Sequence, residues 1–515
     1  MTAARITADG FDSVVVGSGP NGLIGAVTLA EAGQRVLLVE GAAEFGGGLR
    51  SFDLDGATCD LCATVLPLAK ASAAFRNLDL PVEWAFPAVQ AAHPLDGEDA
   101  ALIYRDERRT AAELGNPGSI GDPGSAGGAR GRGGETRDAR AWRATVGATA
   151  RGEAPLIDTL LSPLSVPRAP LQAARFGALG LLPASSLARA LFHGKHARAL
   201  FAGMAAHSVL DLRAPVTGAY GLLLAALAHQ AGWPLVRGGS HKLAEALVDR
   251  LRQLGGEAEA NHPVRDLSDV PRARTILLDL TPRQVLAVCG DRLPAGYARR
   301  LRRFRYGPGV FKVDWLLSGP VPWRDHRISG AGTVHLGGTC EEIVASEAEV
   351  AAGRHPERPF TLAVQPGAAD PTRAPAPKHV FYAYCHVPNG SDQDMTRAIE
   401  DQVERFAPGF RDLITARVTH GPAALERHNP NLVGGDIGGG SAALTQFVSR
   451  PVLSPNPWAT PLPGVYLCSA STPPGGGVHG MGGYHAARLA LRRGTRLALR
   501  QENGVPGGDE RGAFG

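Results

Sequence analysis

"DSVVVGSGPNGLIGAVTLAEAGQRVLLVE", residues 12–40, is the stretch whose reading decides the fold. Val14, Val15 and Val16 follow one another without a polar break, as in a strand of a parallel sheet buried on both faces. Gly17-x-Gly19-x-x-Gly22 comes next, with Ser18, Pro20 and Asn21 between the glycines. Leu23, Val27 and Ala30 then recur at helical spacing, and Gly33 ends the run. Val36 to Val39 is a second strand, and Glu40 stands at its end. Strand, glycine turn, helix, strand and acid together form the βαβ fingerprint of a dinucleotide-binding unit. The first glycine makes the turn, the second lets backbone approach a diphosphate, and the third lets helix and strand pack. The helix N-terminus offers N–H groups to the phosphates, and Glu40 offers acceptors to a ribose diol.

Outward from this unit, 515 residues exceed what one small core needs, so two domains are expected. Hydrophobic content of 44% with 20% charged residues describes a globular chain. A net charge of +4 and the lack of basic blocks with interleaved aromatics argue against nucleic acid as a partner. The start, "MTAARITADGF", has no apolar core, and no apolar run is long enough to span a bilayer. Six scattered cysteines suit a reduced, cytoplasmic setting.

"EFGGGLRS", residues 44–51, holds a second glycine cluster just after Glu40. It resembles the GG motif of FAD proteins, which implies that Gly46, Gly47, Gly48, Arg50 and Ser51 close over the diphosphate. No basic residue follows Glu40 directly, which argues against a 2′-phosphate reader. Near the other end, "PGVYLCSASTPPGGGVHGMGGYHAARLALRRG", residues 463–494, reads as a short strand, a glycine-rich turn and a helix. No second βα unit follows, so Gly475-x-Gly477-x-x-Gly480 is read as another lobe of the same site.

These three motifs together resemble the phytoene-desaturase-like branch of FAD-dependent oxidoreductases. So do "AHPLDG" (92–97), "AGWPLVRGGSHKLAEAL" (231–247), "VDWLLSGPVPW" (313–323), "AGTVHLGGT" (331–339), "YCHVPNGS" (384–391), "ERFAPGF" (404–410) and "NPNLVGGDIGGG" (429–440). The resemblance is to its actinobacterial NAD(P)/FAD-dependent members, relatives of pyridine nucleotide-disulfide oxidoreductase domain-containing protein 2. It implies an α/β fold: a Rossmann-like FAD-binding domain with an interleaved α+β substrate domain, a mostly antiparallel sheet roofed by helices. The expected FAD-binding pieces are 1–75, 235–290 and 440–500, and the substrate-domain pieces 76–234 and 291–439. Residues 115–139, almost without apolar side chains, read as a disordered insertion and 501–515 as a flexible tail. The resemblance also places Val264 beside the adenine, and Ser469, Ala470, Gly477, Val478, His479 and Gly480 near the flavin.

Within the middle, 242–254 reads as a helix, 258–266 and 274–282 as strands, and 283–432 mainly as strands. Two residues are candidates for chemistry. Lys312 lies in an alternating strand and resembles the lysine that reaches flavin N5 through water in amine-oxidase-like flavoproteins; its other reading is an exposed face shared with Asp314. His479 lies in the closing glycine lobe and either takes part in catalysis or caps the helix; His485 beside it, and His386, His428 and Asp436, are lesser candidates. Cys59 and Cys62 form a CxxC that lacks a second pair for zinc, and no histidine cluster has metal spacing, so no metal is expected. Relatives carry a histidine where Leu66 stands, and related desaturases often have glycine at Ser469.

The expected activity is dehydrogenation of a small hydrophobic substrate by hydride transfer to flavin N5, with oxygen or a quinone as electron acceptor. Amine oxidation or saturation of a double bond on the same frame is the alternative. A non-catalytic role of the Rab GDP-dissociation-inhibitor type is a third reading. "GAYGLLLAALA" (218–228) suits an apolar roof, either an ordinary buried helix or one resting on a membrane surface.

Overall fold

Strand Ser13–Val16 is wholly buried and pairs in parallel with Val36–Val39 on one side and Thr275–Leu278 on the other. In this computed structural model, which describes residues 10–118, 135–163, 167 and 169–502, these form the centre of a five-stranded parallel sheet. Val465–Leu467 pairs outside Thr275–Leu278, and Glu257–Glu259 outside Val36–Val39. Alternate residues feed opposite faces, as strand geometry requires. Val15, Leu38 and Leu277 pack with the helices Pro20–Glu31, His241–Gln253 and Met481–Glu502. Val14, Val16, Leu37, Val39 and Leu278 pack on the helices Pro282–Cys289 and Ala295–Arg302.

The second body is a seven-stranded sheet. Its strands run, edge to edge, Ile414–His420, Gly309–Leu317, His379–Val387, Thr361–Val364, Ala331–Leu336, Val89–Leu95 and Glu98–Ile103. All neighbours are antiparallel except Ala331–Leu336 with Val89–Leu95. One face carries Val313, Trp315 and Phe381 against helix Thr396–Phe406. The other lies under Lys195–Ala206 and Thr217–Gln230, apolar helices buried over most of their residues. Gly203 lets the first of these come close: a Cβ there would stand 2.6 Å from His335 Nδ1.

The structure departs from the sequence reading at several elements. The strand expected over 258–266 ends at Glu259, because Asn261 takes a left-handed conformation and Pro263 follows. The stretch 283–432, read as mainly strands, also holds the helices Ala295–Arg302, Cys340–Ala351, Thr396–Phe406 and Pro422–His428. Of the expected insertion, 119–134 lies outside the described residues, while its edges belong to the helices Glu107–Gly115 and Arg137–Trp142. Of the expected tail, residues 503–515 lie outside the described ones, and the closing helix runs to Glu502.

Candidate functional site

The strand ends at Val16 and turns through Gly17, whose φ of +95° suits glycine and whose N–H donates to Val39 O at 2.8 Å. The helix begins at Pro20, which needs no amide partner there. A Cβ on Gly22 would stand 2.0 Å from Gly17 O, so the third glycine closes the turn. Asn21 ties the loop to the closing helix, its Oδ1 accepting from Gly482 N at 3.1 Å.

An acid not anticipated from the sequence sits against this loop. Asp279, just past strand Thr275–Leu278, is 5% exposed and accepts the Gly22 N–H at 3.0 Å. A Cβ on Gly19 would lie 2.5 Å from the same carboxylate oxygen. Burial pushes this carboxyl up to about 7; the amides of Gly22 and Gly19 pull against that, and Glu40 adds to it. The available signal was an acid at the end of a buried strand before Thr-Pro.

Glu40 is buried at the end of its strand. Its Oε2 accepts from Ser18 N at 3.0 Å and Ser18 Oγ at 2.5 Å, and its Oε1 from Ala42 N at 2.9 Å. The Arg50 guanidinium lies 3.5 Å from Oε1 and also donates to His428 O at 3.2 Å. Among the described residues, Arg50 Nε is buried without a hydrogen-bond partner. The GG loop folds onto the glycine turn: Gly46 N donates to Ser18 O at 3.1 Å, and a Cβ on Gly47 would stand 3.1 Å from Gly19 Cα. Gly48 O accepts from Ala63 N at 3.1 Å. Ser51 is turned elsewhere, its hydroxyl donating to Asp60 Oδ1 at 2.7 Å and meeting His241 Nδ1 at 2.9 Å. Val264 follows a turn in which His262 N donates to Glu40 O at 2.8 Å, and it packs with Val14, Leu37 and Val39.

The closing lobe clamps onto the same helix. A Cβ on Gly480 would meet Ile24 at 2.4 Å, and one on Gly483 would meet Asn21 O at 1.7 Å. Ser469 Oγ donates to Leu280 O at 2.8 Å, and Ala470 packs against Gly439. Gly477 is exposed and Val478 partly so, which leaves this side of the lobe open. His479 is 1% exposed, and both its ring nitrogens are used inside the turn. Nδ1 accepts from Met481 N at 3.0 Å, and Nε2 donates to Gly475 O at 3.1 Å. Burial lowers its pKa to about 4. Of the two readings the sequence leaves open, this geometry is that of the helix cap, with both ring nitrogens engaged. His485 is engaged likewise, its Nε2 donating to Leu161 O at 3.0 Å.

On the helix-roofed face of the large sheet, Lys312 is 3% exposed rather than part of an open face. Its Nζ donates to both Asp314 oxygens at 2.5 Å and to Asp60 O at 3.0 Å, over the Tyr382 ring at 4.2 Å. All three N–H donors are therefore committed, which leaves none for the expected water-mediated bond to a flavin. Burial raises Asp314 to about 6 although Lys312 pulls it down. Cys59 and Cys62 are free thiols pushed up by burial to about 12 and about 11, so both stay protonated and the CxxC has no reactive thiolate. Asp436 pins a loop by accepting from the amides of Gly307, Gly438 and Gly440.

The same face carries a second pair. His386 stands opposite Val310 in register, and its Nδ1 donates to both Glu347 oxygens at 2.9 Å. Among the described residues its Nε2 is buried with no partner. Contacts lead from there to the GG loop: His386 beside Tyr384, Tyr384 and Cys62 around the Val310 cluster, and Cys62 Cβ 3.8 Å from a Cβ on Gly48. His207, Tyr384 and Cys62 are each partly exposed. His207 shares a 3.0 Å contact with His335 between Nε2 atoms, and burial lowers its pKa to about 3. Among the described residues, no three His, Cys, Asp or Glu side chains gather as a metal site, and no helix is long and apolar enough to cross a membrane.

Comparison with known proteins agrees with this geometry. The family model of the NAD(P)-binding Rossmann-like domain matches residues 15–78. Pyridine nucleotide-disulfide oxidoreductase domain-containing protein 2 of Rattus norvegicus is 26% identical over 314 residues, 51% of this chain and 52% of that protein, and the Mus musculus protein gives the same figures. The chain spans about half the length of the curated relatives it matches. Among solved structures, an oxidoreductase from Methanosarcina mazei has a TM-score of 0.60 at 14% identity, over 93% of this chain and 99% of that one. A putrescine oxidase with putrescine bound has 0.57 at 16%, over 95% and 99%. Cyclohexylamine oxidase from Brevibacterium oxydans has 0.53 at 14%, over 95% and 100%. At these identities the likeness is one of fold: a Rossmann-like α/β domain joined to a mixed sheet, in a frame shared with oxidoreductases.

Proposed function

We propose that the protein is an FAD-dependent oxidoreductase that dehydrogenates a small, largely apolar substrate. The observation that carries this reading is the meeting of two glycine loops beside Glu40, where a Cβ on Gly47 would stand only 3.1 Å from Gly19 Cα. The residues present fit the dinucleotide. Gly17 to Gly22 and the helix N-terminus suit the diphosphate. Glu40 suits a ribose diol, which would replace its Ser18 hydroxyl and Arg50 contacts. The buried, unpartnered Arg50 Nε is a donor awaiting an acceptor. Val264 would border the adenine, Gly46 to Gly48 would close over the diphosphate, and Ser469, Ala470, Gly477, Val478 and Gly480 would border the flavin half. The parallel sheet would be the cofactor body and the large sheet with its roof the substrate body.

FAD, when bound, supplies a two-electron acceptor for a substrate C–H bond. The chain's own residues do the rest. The apolar roof excludes water and orients an apolar molecule. His386, held through Nδ1 by Glu347, presents a bare Nε2 that accepts the proton the substrate releases. Lys312 and Asp314 keep a matched charge pair in the same wall. A second reading, oxidation of a C–N bond, is favoured by that Nε2, which suits a substrate carrying an N–H proton. Oxygen or a quinone would take the electrons on. Intact glycine loops and Glu40 speak against a non-catalytic regulator.

The test is the visible absorption of the purified protein, before and after incubation with FAD, followed by anaerobic addition of hydrocarbon and amine substrates. Bound flavin that bleaches with one of these classes supports the reading. A colourless protein that cannot be reconstituted overturns it.

A further inference from the structure

We propose that Asp279 takes up a proton when the diphosphate of the dinucleotide binds, so that cofactor loading in this chain is proton-linked. This deepens the dinucleotide-site reading and rests on it. The N-terminus of helix Pro20–Glu31 is where a diphosphate finds free amides and the positive end of the dipole. In this chain an internal carboxylate already draws on that end. Gly22 N donates to Asp279 Oδ2 at 3.0 Å, and a Cβ on Gly19 would lie 2.5 Å from the same oxygen. A Cβ on Gly17 would lie 3.2 Å from Asp279 Cβ, so the acid underlies all three glycines.

Its surroundings supply no countercharge. Glu40, from the far side of the central strand, adds a like charge. Cys468, after strand Val465–Leu467, is a thiol that burial, and then Asp279, push upward. Asn431 meets only the backbone, its Nδ2 donating to Asp279 O at 2.8 Å. No cation acts on the carboxyl among the described residues. A diphosphate brought to the same helix end would add negative charge beside a buried carboxylate and Glu40. One proton on Asp279 removes that conflict and keeps the carbonyl oxygen as acceptor for Gly22. Burial already holds the group near neutrality, about 7, so the proton is available at ordinary pH.

The expected result follows from linkage. Affinity is level while Asp279 is protonated in free and bound protein alike, and it weakens as pH rises above about 7, by up to about tenfold per pH unit for one proton. The experiment is calorimetric titration of the full chain with FAD and, separately, with ADP-ribose, at several pH values from acid to alkaline. At alkaline pH it is repeated in phosphate and in Tris, whose ionisation heats differ. Uptake of up to one proton per ligand and a falling affinity support the proposal. Asp279→Asn keeps an acceptor for Gly22, and it should bind with the acid-pH affinity at every pH. Equal heats in both buffers with a level affinity in the native protein overturn the proposal without any variant. So does a pH dependence that survives in Asp279→Asn. Binding of ADP-ribose without FAD would sink the flavin reading and leave this one measured; binding of neither would sink both.

Discussion

Lys312 and Asp314 place an ammonium and a carboxylate in a space closed to water. Such a pair gains little over an apolar pair, but breaking it strands a charge. Lys312→Met should therefore cost about 3–5 kcal/mol in urea unfolding. The cost should grow from acid to neutral pH, because the stranded Asp314 carboxyl is then raised further and its stability is lost as pH climbs through that value. Adding Asp314→Leu should recover most of the loss. A loss that the second change does not relieve would show that the pair is not what holds this wall. At this scale the sequence was legible only where partners are near in the chain. Ser18 and Glu40 lie within one βαβ unit and Arg50 in the loop just after it, and their place at one site could be read. Asp279 reaches Gly22 across 257 positions, and Glu347 reaches His386 from a helix 39 positions away. Nothing local announces either contact. His479 stood between two readings for the opposite reason: its neighbourhood suggested a cofactor, while its own nitrogens close the turn.

Between elements, the tightest junction is that of the closing helix with the glycine-loop helix. A Cβ on Gly480, Gly482 or Gly483 would strike Ile24, Cys468 or Asn21, so these glycines let the closing helix come close to the glycine-loop helix. Gly483→Ala should lower stability by about 1–3 kcal/mol through overpacking, and it should weaken dinucleotide retention more than tenfold. Thermal melting and gel filtration with the cofactor would read both effects. Gly494→Ala is the control. It lies in the same helix with nothing within 4 Å of its Cβ position, so it should be neutral or stabilising by up to about 1 kcal/mol. Elements with strong periodicity, such as 20–31 and 241–253, were legible. The short helices Pro282–Cys289 and Ala295–Arg302 were not, because each presents barely two turns of pattern between prolines and glycines. The strand that stops at Glu259 shows the same limit: a left-handed Asn261 overrides the apolar alternation beyond it.

For the whole molecule, the buried histidines set an acid boundary. Burial lowers His207 to about 3, and His93, His420, His428 and His479 to about 4. All are neutral when folded and take protons near 6.5 when unfolded. Their contribution is present above that unfolded value and is lost as pH falls towards the folded values, by up to about 1.4 kcal/mol per pH unit for each histidine. The melting temperature should fall steeply between about pH 6.5 and 4; a flat profile there would mean that these rings are hydrated in the native state. Asp279 works in the other sense, its share being lost as pH rises through about 7. The order of strands across the parallel sheet carries a further consequence. The central strand at 13–16 waits for partners at 275–278, and these wait for 465–467. In a growing chain the strand of the glycine fingerprint keeps an open edge for about two hundred and sixty residues, until 275–278 is made, and 275–278 then keeps its own until 465–467. Until then the parallel sheet presents unpaired backbone that another chain could join, so aggregation during synthesis is the hazard this strand order carries.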